Sequence, residues 1–198
     1  MRTMMIATHD THPPGAVMHL YQQDHAWFAL QVRPRHEIKA ASMLRNKGFE
    51  EFVPLYESHR QWSDRKKTVT LPLFTGYVFC RFDPNQKVPI VTTFGVIRVV
   101  GSSKGCIPIA DHEIESIQKI TATGRSVEPH PYLNLTVGSR VRVQEGPLTG
   151  CEGMLVEHRA NLKLILSMDL IQRSMSVEIE GYAVVPVRDD GPVAVGMA

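Results

Sequence analysis

The sequence predicts an α+β fold, with an N-terminal antiparallel sheet carrying helices and a small C-terminal β-barrel. Between about residue 25 and residue 122, segments with alternating apolar side chains are separated by two segments with helical spacing. Beyond about residue 135, five short alternating segments follow one another closely. Side chains alternate between two faces on a strand and recur every ~3.6 residues on a helix. The first region therefore predicts a sheet with helices, and the second a closed or partly closed barrel.

The first predicted strand is 27–32, WFALQV, in which a core face alternates with a second face that starts at Trp27. A helix follows from Pro34, because proline suits a first helical turn and Gly48 is a natural C-terminal stop. We expect its apolar face to consist of Ile38, Ala41 and Leu44.

Four further segments continue this pattern. FEEFVPLY is predicted to be extended, SHRQWSDRKKT to be a polar, basic turn or hairpin tip, and VIRVVG to be a strand. DHEIESIQKI predicts a helix capped by Asp111, with Ile114, Ile117 and Ile120 on its apolar face. Helices packed on one side of an antiparallel sheet would leave the other face of the sheet free.

The strand within GYVFCRF carries apolar side chains on both of its faces. Val78, Cys80 and Phe82 share one face, whereas Tyr77 and Phe79 share the other. The first set suits the core beneath a helix. The second set needs a different cover, and two remain open: a partner molecule, or a loop or second domain of this chain.

Composition and charge limit the function classes. The chain of 198 residues is 43% hydrophobic and 21% charged, as in ordinary globular proteins, which excludes disorder throughout. Without a long apolar run or a signal-peptide pattern, we expect a cytoplasmic protein that does not contact a membrane. Residues 1–134 hold 16 Lys/Arg against 12 Asp/Glu, a net +4, and residues 135–198 hold 6 against 8, a net −2. The front part is therefore the better candidate to meet a polyanion.

The sequence offers no sign of catalysis, metal binding or a cofactor. Its three cysteines, Cys80, Cys106 and Cys151, are widely spaced and form no Cys-x-x-Cys pair, so we expect reduced thiols with packing roles. No phosphate-binding loop or His-Glu-x-x-His motif occurs in the chain. We therefore expect a binding protein that is not an enzyme.

Five regions follow from the breaks in pattern. We expect a flexible leader at 1–24, a first domain at 25–122, a linker at 123–134, a second domain at 135–188 and a tail at 189–198. The most specific local pattern lies in the second domain, in VGSRVRVQEGPLTGCEGMLVE. Its turn between two strands uses Gly146, Pro147, Gly150 and Gly153, residue types that tight turns require.

These motifs together resemble a known family. Val137–Val156 resembles a KOW motif, which forms a small SH3-like barrel, and WFALQVRPRHEIKA with PLFTGYVF resembles the NGN domain of the NusG family of transcription elongation factors. The order of domains, NGN, linker and KOW, is also that of the family, and the likeness spans about residues 26–187. Within the family, RQWSDRKKTVTLPLFTGYVF and GPLTGCEG resemble the specialised antiterminator branch of the UpxY and LoaP type.

The resemblance implies a function as a transcription elongation or antitermination factor that suppresses pausing and termination. It implies that the NGN domain binds RNA polymerase at the β′ clamp helices through an apolar pocket, with the gate loop of the β subunit as a further contact. The positions that match the pocket are Trp27, Phe74, Tyr77 and Phe79.

Basic residues form a second candidate site, for nucleic acid. In the family, the surface beside the first helix faces the non-template DNA strand, and some members read DNA or nascent RNA there. The candidate residues are Arg33, Arg35 and Lys39, with Arg60, Arg65, Lys66 and Lys67 at the hairpin tip. A solvated charged surface without a ligand is the alternative for both groups.

The second domain has candidate partners of its own. For the KOW barrel the resemblance implies contact with a small-subunit ribosomal protein or the termination factor Rho. An alternative for the whole chain is an RNA- or ribosome-binding barrel protein that does not act on polymerase. That alternative predicts affinity for structured RNA with a steep salt dependence.

Overall fold

The computed structural model describes residues 25–61, 66–132, 139–158, 161–179 and 184–187. The predicted leader and the predicted tail lie outside these residues. Within the described part of the chain, no helix is long and apolar enough to cross a membrane.

The N-terminal domain is built on a four-stranded antiparallel sheet. Its strands are β1 (Ala26–Val32), β2 (Glu50–Phe52), β5 (Tyr77–Phe82) and β6 (Val96–Val99), in the order β2-β5-β1-β6. A separate hairpin is formed by β3 (Leu55–Gln61) and β4 (Lys66–Pro72), so the segment predicted as a hairpin tip belongs to a longer hairpin. The remaining elements are α1 (Glu37–Asn46), α2 (Val88–Val91), β7 (Gly101–Ser102), β8 (Gly105–Cys106) and α3 (Asp111–Ala122).

Helix α1 covers one face of this sheet. Phe28, Leu30, Val78 and Cys80 on the sheet form one buried cluster with the helix. The helix contributes Ala40, Ala41 and Leu44 to that cluster. The predicted apolar face was wrong at Ile38, which is 57% exposed. Residues 37, 40, 41 and 44 follow helical spacing, and position 38 is turned about 100° from position 37, toward solvent.

Helix α3 covers the other face of the sheet. Ile114, Ile117 and Ile120 are buried, as predicted, in one cluster with Trp27 and Phe79. The expectation that helices pack on one face and leave the other free was therefore wrong. Before α3 the chain runs beside β1, where the Ile109 N–H donates to the Trp27 carbonyl at 2.8 Å. This path brings α3 to the face opposite α1.

The start of α3 also differs from the prediction. Ala110, not Asp111, is the N-cap residue. Glu113 reaches back, and its Oε2 accepts a hydrogen bond from the Ala110 N–H at 3.3 Å. Asp111 instead forms an ion pair with Arg81 on β5, at 2.9 Å, which fastens the first turn of the helix to the sheet.

The C-terminal domain is a six-stranded antiparallel sheet in the order β14-β10-β11-β12-β13-β9. All five predicted short strands form, and the predicted fold class, a sheet with helices followed by a β-rich domain, is confirmed. The strands are β9 (Val127–His130), β10 (Ser139–Val143), β11 (Glu152–His158), β12 (Asn161–Met168), β13 (Arg173–Glu178) and β14 (Val184–Pro186). β9 lies within the predicted linker and pairs with β13, with Val127 opposite Val177. Only Val127 of its four residues is buried, so the strand gave no alternating pattern that could indicate it.

The glycine-rich turn joins β10 to β11. Gly146 and Gly150 have φ values of 85° and 86°, a conformation that costs other residues free energy. Gly153 is required for a different reason, since a Cβ there would lie 2.5 Å from the Ile165 carbonyl oxygen on β12. Leu148, which follows Pro147 in this turn, is fully buried.

Candidate functional site

The aromatic side chains of the candidate pocket form one cluster beside β5. Phe74 and Phe79 meet edge to face with ring centroids 6.0 Å apart, and Phe52 stacks on Phe79 at 6.2 Å. Phe74 and Phe79 are 1% and 0% exposed, whereas Tyr77 is half-buried. The cluster is therefore a packed core with Tyr77 at its margin.

A turn before β5 positions these rings. The Tyr77 N–H donates to the Phe74 carbonyl at 3.1 Å, and Gly76 between them has a φ of 84°. The Gly76 N–H donates to the buried carboxylate of Glu37 at 2.7 Å, while its carbonyl accepts from the Val32 N–H at 2.8 Å. The start of α1 and the end of β1 thus fix the turn that presents Phe74 and Tyr77.

Trp27 is buried within the N-terminal domain. Its side chain is 4% exposed, and the Arg81 guanidinium lies over the indole ring, 5.5 Å from the centroid. The backbone of Trp27 forms an antiparallel bridge with the backbone of Ile109. Because strand and helix residues of its own domain enclose it, Trp27 contributes to the packing of the N-terminal domain.

The second domain packs against the same face. Val127, Leu148 and Met175 belong to one continuous buried cluster with Phe74 and Phe79. At its edge the Arg173 guanidinium lies 5.8 Å from the centroid of the Tyr77 ring. The Cys151 thiol lies 3.9 Å from the Ser116 carbonyl of α3. The sequence left open whether a partner molecule or a part of this chain covers the face with Tyr77 and Phe79. In this structure a part of the chain covers it.

The predicted basic residues divide between two elements. Arg33, Arg35 and Lys39 are exposed around the start of α1, and Lys67 is exposed on β4. Arg60 lies on β3 and Lys66 on β4, but their side chains lie outside the described part of the structure, as does all of Arg65. Their contact with nucleic acid stays a prediction.

Sequence reasoning missed Phe94, which lies beside the first basic group. Phe94 is 47% exposed, and the Lys39 ammonium lies 4.7 Å from the centroid of its ring. The available signal was an aromatic residue before Gly95 in a short turn, within TTFG. Phe94 brings a flat apolar surface next to cations that the sequence had already indicated.

Two of the three thiols, those of Cys80 and Cys151, are buried. Burial, with Glu51 and Glu50 nearby, raises the pKa of Cys80 to about 12. Burial also raises the pKa of Cys151. Because the thiolate is the reactive form, neither thiol is activated, in agreement with the packing roles predicted for these two cysteines.

A cleft of about 850 Å³ separates α3 from the sheet of the second domain. Its polar lining includes Ser116 on α3, and Arg142 and Glu152 from the second sheet. The Arg142 Nε donates to Glu152 at 2.8 Å. Because this cation and this anion satisfy each other, they leave little net charge to attract an ionic ligand.

Comparison with known proteins finds a similarity in the N-terminal domain. Residues 25–118 match the family model described as "Transcription termination factor nusG". These residues are similar to the NusG family.

The matched residues include β1, the aromatic cluster, Phe94 and most of α3. They also include the basic residues Arg33, Arg35 and Lys39. Similarity also extends beyond the matched residues. The transcription termination/antitermination protein NusG of Campylobacter jejuni is 28% identical over 169 residues, which cover 78% of this chain and 93% of that protein. The protein of the same name from Vibrio vulnificus is 28% identical over 173 residues, covering 78% of this chain and 91% of that protein.

Solved structures give a weaker likeness. A structure of NusG from Thermotoga maritima, described as a study of domain interaction, is 19% identical and covers 80% of this chain and 94% of that chain, with a TM-score of 0.49.

Proposed function

We propose that this protein is a transcription elongation and antitermination factor that acts by binding RNA polymerase, without catalysing a reaction. The observation that carries the proposal is the match of residues 25–118 to the NusG family model, together with similar proteins named as transcription termination/antitermination proteins. We place its action in the cytoplasm. The basic hairpin sequence and GPLTGCEG favour the specialised UpxY and LoaP-like branch.

The proposed contact is between the aromatic cluster and the clamp helices of the polymerase β′ subunit, with the gate loop of the β subunit as a second contact. Tyr77 is the best-placed member, because its ring is half-buried at the margin while Phe74 and Phe79 are enclosed. Phe74 and Phe79 would then form the floor on which a clamp-helix side chain packs. Trp27 supports that floor from within the sheet.

In the closed arrangement of the domains, the second domain covers the proposed polymerase-binding face. The clamp helices and the second domain would use the same face of the cluster, so binding requires the second domain to move away. If about 1% of free molecules were open, the apparent affinity for polymerase would be about 100-fold weaker than the intrinsic affinity. A signal that separates the two domains would therefore increase the apparent affinity of the protein for polymerase.

Once bound, the factor would work by population shift. A polymerase with a closed clamp is stabilised if the factor binds it better than the open, paused form. The basic residues at the start of α1 and on the hairpin would contact non-template DNA or nascent RNA. The released second domain would be free to bind a small-subunit ribosomal protein or Rho.

The experiment is a binding measurement with core RNA polymerase and the full-length protein. We expect wild type to bind and Tyr77→Ala to weaken binding at least about tenfold, because a buried aromatic anchor contributes about 2 kcal/mol or more. Tyr56→Ala is the matched control, since Tyr56 is also half-buried against the same cluster but lies on the hairpin. Equal binding by Tyr77→Ala and wild type would contradict the pocket assignment. Binding of wild type to structured RNA and not to polymerase would favour the RNA-binding alternative.

A further inference from the structure

We propose that Phe94 is a stacking platform for one unpaired base of single-stranded DNA, whose flanking phosphates are held by Arg33, Arg35 and Lys39. This inference rests on the proposed function, which places DNA beside α1, and adds the residue that would hold a base there. It is carried by four features of the structure: a fixed backbone, an exposed aromatic side chain, nearby cations and no exposed carboxylate within residues 31–40.

The backbone that carries Phe94 is held in a closed turn. The Val96 N–H donates to the Thr93 carbonyl at 3.0 Å, and Gly95 has a φ of 91°. The Arg33 N–H donates to the Gly95 carbonyl at 2.8 Å, which ties this turn to the end of β1. Phe94 is therefore exposed on a rigid turn beside Arg33.

The residue before Phe94 anchors this turn. Thr93 is 2% exposed, and its hydroxyl donates to the Pro89 carbonyl at 2.9 Å. The Lys47 ammonium donates to the same hydroxyl at 2.8 Å. A preorganised ring loses less conformational entropy when a base stacks on it than a ring on a mobile loop would.

Two side chains from the start of α1 lie against the Phe94 ring, and Phe94 still keeps a large solvent-exposed surface. His36 lies with its ring centroid 5.4 Å from that of Phe94, at an interplanar angle of 55°. Lys39 places its ammonium 4.7 Å from the Phe94 centroid. Both come from the start of α1, three residues apart, so they approach from the same side. Phe94 nevertheless remains 47% exposed, which leaves apolar surface on which a base can stack.

The charges around the platform suit a polyanion. Arg33, Arg35 and Lys39 are exposed cations within seven residues of one another. Glu37, the carboxylate in this stretch, is 2% exposed and engaged with the Gly76 N–H at 2.7 Å. No exposed carboxylate therefore repels a phosphate within residues 31–40.

The same contacts favour DNA over RNA. Recognition of RNA commonly uses a hydrogen bond to the 2′-hydroxyl. The Glu37 carboxylate is turned inward, and the His36 Nδ1 lies 3.1 Å from the Pro34 carbonyl. The Glu37 carboxylate and the His36 Nδ1 therefore already have partners within the protein, and an aromatic ring offers no hydrogen bond to a 2′-hydroxyl.

The test measures fluorescence anisotropy of a labelled single-stranded DNA of about 12 nucleotides with the full-length protein. We expect Phe94→Ala to weaken binding roughly 5- to 150-fold, which corresponds to the loss of one stacked base. The slope of log affinity against log salt should stay unchanged, because no phosphate contact is lost. Arg33→Gln should reduce that slope by about 0.7.

Three variants separate stacking from general damage to the surface. Phe94→Trp should restore binding, whereas Phe94→Leu, which is apolar without a π face, should lose as much as Phe94→Ala. Val88→Ala is the matched control, since Val88 is 66% exposed on neighbouring α2, and it should bind like wild type. Unchanged binding by Phe94→Ala, full binding by Phe94→Leu, or equal losses in Phe94→Ala and Val88→Ala would each overturn the proposal.

The nature of the ligand is tested in parallel. An RNA of the same sequence should bind no more tightly than the DNA, and a DNA with abasic sites should bind wild type and Phe94→Ala equally. Tighter binding of the RNA with the same dependence on Phe94 would overturn the assignment to DNA. Because the assay contains no polymerase, its result is independent of whether Tyr77→Ala affects polymerase binding.

Discussion

Tyr77 and Phe79 lie two residues apart on one face of β5 and have different environments. Phe79 is in the centre of the sheet, paired with Ala29 on β1 and Phe52 on β2, and is fully buried. Tyr77 is at the beginning of the strand, next to the turn at Gly76, and is half-buried. The alternating pattern predicted that they share a face, but the distance of each from the strand end decides its exposure.

This difference predicts unequal effects on stability. Phe79→Ala should lower the free energy of unfolding by about 3–5 kcal/mol, because it leaves a cavity in a packed core. Tyr77→Ala should lower it by less than half as much. Urea unfolding of both variants would measure this difference.

Stability of Phe79→Ala close to that of wild type would contradict the core position of Phe79. The outcome also bears on how polymerase binding is interpreted. A loss of binding in Phe79→Ala would report partial unfolding, whereas a loss in Tyr77→Ala would report the contact itself.

At the scale of helices and strands, β5 has apolar residues on both faces because a helix packs on each face. Helix α1 covers the face with Val78 and Cys80, and α3 covers the face with Phe79. The sequence predicted both helices and the buried isoleucines of α3. It did not indicate which side of the sheet α3 would reach, because a connection of several residues between β8 and α3 permits either side.

The position of α3 predicts a further mutational contrast. Ile117→Ala should lower the free energy of unfolding by about 2–5 kcal/mol, because Ile117 is 1% exposed in the cluster beneath the helix. Glu115→Ala on the exposed side of the same helix should change it by no more than about 0.5 kcal/mol. Thermal or urea unfolding would distinguish them, and equal effects would show that α3 does not pack on the sheet.

Some local features were predictable and others depended on tertiary contacts. Gly48, Gly146 and Gly150 have positive φ values and lie where turns or helix ends were predicted. Asp111 was predicted as a cap from its residue type alone, but Arg81 on a distant strand provides a closer partner for its carboxylate. Strand β9 was missed because its four residues are stabilised by β13, about 45 residues later in the chain.

For the whole molecule, the main difference between the sequence prediction and the structure concerns what covers the aromatic cluster. An apolar face has the same residue pattern whether another molecule or a second domain covers it, so the pattern alone left both possibilities open. The structure has the second domain in this position, with Cys151 fully buried and its thiol facing the Ser116 carbonyl. The proposed binding to polymerase therefore depends on separation of the two domains.

The accessibility of Cys151 tests this dependence most directly. A Cys106→Ser variant retains Cys151 at the domain contact and Cys80 inside the N-terminal domain, and alkylation of each can be followed by mass spectrometry. In the free protein both thiols should react slowly. When core polymerase is bound, the Cys151 rate should rise, by up to about 100-fold if 1% of free molecules are open, while the Cys80 rate stays low. Stoichiometric binding of polymerase with Cys151 as protected as in the free protein would contradict the account.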